Sequence, residues 1–245
     1  MINKQALWEL ADFFEISSDA DLVEETQKKW LRSSQHERWE MQNLSPNAQH
    51  FVLNWAERQG LLAAWTPKLT EYDCALVLGA TTKRMQIRLQ YLMALWDNGI
   101  RFKKIVWLTG ERPLDRRVDS LLDLAKNESE AARILWTRSD LPDEMSKLPI
   151  DFISVPMQIV GDTTRRPNTK DTIVKWLETC QSPCHALFVS DQPFCGYQYS
   201  VIKACLPNSF QYDVVGPGVD STTPPSAAVI LDSLARWIYT EKKHS

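Results

Sequence analysis

Lys83, Arg84, Arg112, Arg165 and Arg166 stand in segments that each follow an apolar run, in a chain whose overall charge is −3. Brought together, such side chains would bind an anionic small ligand, a phosphate or a carboxylate, through charge-assisted hydrogen bonds. The segment Gly79-Ala80-Thr81-Thr82-Lys83-Arg84 adds a glycine just before a helix start. There, free N–H groups and the positive end of the helix dipole favour an anion. The segment matches neither the dinucleotide fingerprint nor the P-loop, and a tight strand-to-helix turn would need the same glycine. A second segment, Thr109-Gly110-Glu111-Arg112, repeats the glycine after a strand, with Arg116 and Arg117 close behind. A third holds Asp162, Arg165, Arg166, Asn168 and Thr169, and a fourth holds Ser190, Asp191 and Gln192. The expected ligand contacts are Gly79, Ala80, Thr81 and Lys83 in the first loop and Gly110 and Arg112 in the second. Arg165, Asn168 and Thr169 follow in the third, and Ser190 and Asp191 in the fourth. Taken singly, each arginine also reads as a solvated surface charge.

Acid–base chemistry would need carboxylates. Glu130 and Asp162 are the catalytic candidates; Asp162 would pair with Glu130 or with Asp191, and the three around a metal would hydrolyse a phosphate ester if the fold brings them together. Ser129-Glu130 early in a helix aims a carboxylate back toward the loops. The plainer reading is favourable charge at a helix start, worth roughly 0.3–1 kcal/mol. Nucleophilic catalysis finds little support: no G-x-S-x-G elbow exists, and His185 starts a strand instead of ending one. The five cysteines are odd in number, and Cys180-x-x-x-Cys184 lacks the second ligand pair of a zinc site, so they read as buried or idle thiols. Four histidines make a three-histidine zinc centre a poor expectation, and no metal ligands are assigned.

The elements that must position these loops are strands alternating with helices. Asp73–Leu78 is a short apolar strand, followed by a helix to about Asn98 with Gly99 as its stop, and Ile105–Leu108 is the next strand. Two such strands joined by one helix form a βαβ unit, which requires a parallel sheet. Further strands are expected at Asp151–Val155, His185–Ser190 and Tyr212–Val215. Helices are expected over Val118–Ala125, Ser129–Arg138, Asn168 onward, Tyr197–Leu206 and Ala227–Tyr239, with 161–167 as a loop. The fold class is therefore α/β, a doubly wound parallel sheet, over residues 71–245. Residues 1–70 read as a helical N-terminal extension packing on that core. Leu7, Leu10, Phe13 and Phe14 form a stripe, Asp19–Met41 a charged helical face, and Ser45-Pro46 opens a helix closed by Gly60. These stripes would complete the core or recognise a protein partner.

The composition, 44% hydrophobic and 24% charged over 245 residues, is that of an ordinary globular protein. The acidic balance argues against nucleic acid as a partner. No apolar run approaches a membrane span, and the N-terminus lacks a cleavage site, so a cytoplasmic protein is expected.

In order and spacing, Leu76-Val77-Leu78-Gly79, Leu108-Thr109-Gly110, Ser129-Glu130-Ala131, Asn168-Thr169 and Val189-Ser190-Asp191 resemble the YdcF/SanA/ElyC-like family, bacterial proteins of unknown function. The resemblance covers Tyr72 to Tyr239. It implies a Rossmann-like α/β/α sandwich with a cleft at the strand ends, and family roles for Gly79, Gly110, Glu130, Asn168 and Thr169. Three positions depart from the family pattern. Asp171-Thr172 replaces its Glu-Asn, Glu111 replaces its second glycine, and Gln192–Tyr199 carries neither the usual histidine nor arginine. The resemblance and fold together imply a nucleotide-like ligand such as a nucleotide or S-adenosylmethionine. With the departures, a non-catalytic scaffold that uses its N-terminal helices stands beside that reading, as does the metal-assisted hydrolase.

Overall fold

A computed structural model describes residues 3–18, 21–33, 36–180 and 182–243. The chain begins with α1 (Lys4–Phe13), α2 (Leu22–Lys29), a short 3-10 turn (Arg38–Glu40) and α3 (Pro46–Arg58). It continues through β1 (Glu71–Tyr72), β2 (Cys74–Leu78), α4 (Thr82–Asp97), β3 (Arg101–Phe102), β4 (Ile105–Gly110), α5 (Glu128–Arg138) and α6 (Asp143–Ser146). Next come β5 (Ile150–Val155), β6 (Gln158–Val160), β7 (Thr163–Arg165), α7 (Thr169–Thr179) and β8 (His185–Val189). The chain closes with α8 (Cys195–Cys205), β9 (Gln211–Val215) and α9 (Ala227–Lys243). These elements fall into two compact units. One comprises residues 65–191 and 205–217, the other residues 1–64, 192–204 and 218–245.

The first unit holds a five-stranded, fully parallel sheet in the order β5-β4-β2-β8-β9. Numbered among themselves, its strands run 3-2-1-4-5, the order of a Rossmann-like sheet. β2 and β4 are buried along their whole length, as strands covered on both faces must be. Alternate residues divide between the two faces. Ala75, Val77, Ile105, Trp107, Leu187 and Val189 share a core with Met85, Leu89 and Leu92 of α4 and with Ala131 and Ala132 of α5. Phe188, from the opposite face, meets Trp176 of α7 edge-on at 5.9 Å. Helices thus flank the sheet, as an α/β/α sandwich requires. Gly99, at φ 89°, ends α4 in the left-handed region that glycine tolerates.

The second unit is helical. α2 and α3 pack against α9, so the N-terminal helices group with the C-terminal one, which differs from a division at residue 70. Buried Asp232 receives Arg38 Nε at 2.9 Å and Arg236 Nη2 at 3.1 Å, and the Trp55 indole donates to Ala6 O at 2.8 Å. Among the described residues no helix is long and apolar enough to cross a membrane.

Two local expectations give way. The Val118–Ala125 segment is a series of turns, because Leu121 adopts φ 70° and Asp119 turns its carboxylate onto backbone N–H groups. The 161–167 loop is largely a β-hairpin, β6–β7, closed by the two-residue turn Gly161-Asp162 with Gly161 at φ 59°. Of the Asp19–Met41 stretch, α2 accounts for Leu22–Lys29, while positions 19, 20, 34 and 35 lie outside the described residues, as does His244.

Candidate functional site

Because the five strands are parallel, their carboxyl ends share one edge, and the loops after β2, β4, β5 and β8 all leave from it. The order reverses between β2 and β8, the position where open α/β sheets form a ligand crevice.

Asp191, two residues beyond β8, stands at that reversal with two guanidiniums upon it. Arg88 Nε donates to its Oδ1 at 2.8 Å, and Arg84 Nη2 donates to Oδ2. The same Arg88 reaches Leu78 O at 2.6 Å and Gly79 O at 2.9 Å, tying α4 to the end of β2. Burial alone would raise the Asp191 carboxyl, but the Arg84 and Arg88 charges outweigh it and hold the group below the usual carboxylate range.

A second ionic cluster lies between the ends of β2 and β4. Arg112 donates through Nη1 to Asp119 Oδ2 at 2.8 Å and through Nε to Glu128 Oε2 at 3.3 Å. Asp119 Oδ1 accepts from Thr82 N at 2.8 Å, so this carboxylate occupies the N-terminus of α4 where an external anion was expected. Glu128 Oε1 accepts from Gly110 N at 3.1 Å and approaches Gly79 so closely that a Cβ there would lie 2.1 Å from it. Gly79 is needed for this internal contact. Burial pushes the Glu128 carboxyl up, and the Arg112 charge and the Gly110 N–H offset this only in part. Asp119 is buried too, yet its hydrogen bonds from Arg112, Asp115 N and Thr82 N hold it low.

Beside the clusters runs a row of hydroxyls. Thr109 Oγ1 lies 2.8 Å from Ser129 Oγ, which lies 2.7 Å from Ser154 Oγ, which donates to Glu111 Oε1 at 3.1 Å. The row leads from the buried end of β4 to an exposed carboxylate.

The remaining predicted residues meet varied fates. Ala80 O accepts a long bond from Arg112 Nη2 at 3.5 Å, Thr81 sits at the N-cap of α4 without a side-chain cap bond, and Lys83 is exposed. Gly110 is crossed by Pro167, whose Cγ would stand 2.3 Å from an added Cβ. Asn168 is the N-cap of α7 in a capping box with Asp171, and Thr169 is the first residue of that helix. Arg165 spans Asp171 with two bonds of 2.6 and 3.0 Å. Ser190 Oγ is fully buried with no hydrogen-bond partner among the described residues.

Of the two catalytic candidates, Glu130 folds back to accept Lys126 N at 2.7 Å, so its carboxylate serves the start of α5. Asp162 is exposed in the hairpin turn. Asp191 is enclosed by arginines, and among the described residues no three His, Cys, Asp or Glu side chains are grouped to hold a metal ion. The inward glutamate is Glu128, two positions earlier, and neither it nor Arg88 nor Asp119 was among the expected site residues. Arg88 alone left a signal, lying four residues beyond Arg84 on the same helix face. Compared with protein-family models, with curated proteins and with solved structures, the chain matches none of them.

Proposed function

We propose that the chain binds a small anionic ligand, nucleotide-like in character, at the crevice between β2 and β8. One observation carries this reading: two guanidiniums, Arg84 and Arg88, converge on Asp191 at the end of β8, where the strand order reverses. Arg84 is the more outward of the two, with about a quarter of its side chain exposed, and would turn from Asp191 to an incoming phosphate or carboxylate. Exposed Lys83 adds a second cation beside it. The resemblance to YdcF-like proteins accords with a ligand at the strand ends. Because Glu130 and Asp162 are directed elsewhere, the reading is one of binding, with no catalytic step assigned. Isothermal titration with inorganic phosphate, nucleotides, sugar nucleotides and S-adenosylmethionine tests it. At least one should bind the parent and lose ten-fold or more in affinity with Arg84→Ala; no heat from any of them would overturn the proposal.

A second reading, a protein-interaction role for the N-terminal helices, is favoured by a groove of about 690 Å³ in the helical unit. Val23 and Gln27 of α2 and Tyr239 of α9 line it, flanked by Lys28, Lys242 and Glu24, and Tyr239 is 46% exposed. A stoichiometric partner that co-purifies with the parent and is lost from Tyr239→Asp would support this role. Equal recovery with both would end it.

A further inference from the structure

The amino-terminal edge of the parallel sheet carries a group of thiols that the crevice does not use. Cys74 is the first residue of β2, Cys184 directly precedes β8, and Cys180 is the C-cap of α7. β2 and β8 are hydrogen-bonded parallel neighbours, with Cys74 opposite Ala186. This register brings together two cysteines 110 residues apart, and their sulfurs lie 3.6 Å from one another. Cys74 is buried at 6% exposure, whereas Cys184 and Cys180 are half-buried and open to small solutes. Cys180 Sγ is turned toward Ser182 O at 3.3 Å.

We propose that Cys184 and Cys74 form an oxidation site, in which a peroxide converts the thiol pair into a disulfide joining β2 to β8. In the first step the Cys184 thiolate sulfur attacks a peroxide oxygen. The O–O bond breaks, hydroxide leaves, and Cys184 becomes a sulfenic acid. In the second, the Cys74 sulfur attacks the Cys184 sulfur, the S–O bond breaks, and the departing hydroxide takes the Cys74 proton as water. Two thiols supply two electrons to one peroxide, and two waters result.

The order of attack follows from the surroundings. The hydrogen bond from the Cys74 thiol favours the Cys184 thiolate and draws its pKa down, while the same bond and burial push Cys74 up. Cys184 is also the more accessible of the pair. To join, the sulfurs must close from 3.6 Å to roughly 2.05 Å, a movement of about 1.5 Å. The Cys180 thiol donates to the Ser182 carbonyl, whereas Cys74 Sγ already lies 3.6 Å from Cys184 Sγ, which makes Cys74 the resolving group.

The test uses the reduced full chain treated with stoichiometric hydrogen peroxide, quenched with an alkylating agent and digested without reduction. Mass spectrometry should find the Cys74 peptide linked to the Cys184 peptide, with free thiols falling from five to three by titration. Dithiothreitol should restore five. Cys180→Ser should keep the link, and Cys74→Ser should leave a dimedone-reactive sulfenic acid on Cys184. Five free thiols after treatment, a Cys180–Cys184 link, or sulfinic acid at Cys184 without a crosslink would each overturn the proposal. The mapping on the parent chain decides it even if a variant fails to fold.

Discussion

The two edges of the parallel sheet use pairs of opposite charge in different ways, arginine with aspartate at one and lysine with aspartate at the other. At the carboxyl edge the pairs are buried: the Arg88 and Asp191 side chains are 3% and 7% exposed, and those of Arg112 and Asp119 are 9% and 0%. At the amino edge they are open, with Lys103 and Asp73 at 79% and 42% and Lys104 and Asp151 at 43% and 44%. An exposed pair is screened by water and salt and adds little. A buried pair adds little net stability either, since desolvation consumes most of the attraction, but breaking it leaves an uncompensated charge. The innermost pairs of the carboxyl edge therefore hold their partners in place, with Arg84 the more outward member, while the amino edge is tolerant in its charges.

Breaking the buried side should give the largest effect. Asp191→Ala strands Arg84 and Arg88 and should cost roughly 3–5 kcal/mol in urea denaturation. Unchanged stability would show that water already reaches both guanidiniums. Next come the glycines that let the loops close. Gly79→Ala forces a Cβ against Glu128 Oε1 and the Leu108 carbonyl, and Gly110→Ala forces one against the Pro167 ring. Each should cost roughly 1–3 kcal/mol, with Gly110 the milder because a proline ring yields more readily than backbone.

A smaller, pH-dependent effect separates the two buried carboxylate types. Asp191 and Asp119 are held low, so their contribution is fully present above the unfolded value near 3.8 and is lost as pH falls through the folded value. Glu128 is raised, so between the unfolded value near 4.5 and its higher folded value the native state binds the extra proton. Acidification through that window should stabilise the parent and leave Glu128→Gln flat, as read from urea midpoints at successive pH values. The smallest effect belongs to the amino edge, where Lys103→Ala should leave the midpoint unchanged.

Much of the sheet was legible because β2, β4 and β8 are short apolar runs bounded by glycine, serine or charge, and helical periodicity fills the intervals. Asn168 as an N-cap and Gly99 as a stop were equally plain, since each acts through its own backbone neighbours. The site was less legible, because its contacts depend on which way a side chain turns. Glu128 and Glu130 are two residues apart on one helix, and only the position of the Asn127 N-cap decides that the first faces Gly110 and the second returns to Lys126. The Gly161-Asp162 turn between Val160 and Thr163 was a hairpin signal, but the flanking strands are only three residues each. The Cys74–Cys184 approach needed the strand order, which no local pattern discloses.

The central pairing of the sheet also sets a timetable for the chain as it is made. Leu76 pairs with Phe188, and the partner must still be translated when β2 has already emerged. At roughly 5–20 residues per second that delay is on the order of 5–20 s. Throughout it one side of β2 presents unpaired backbone to whatever waits at the ribosome exit.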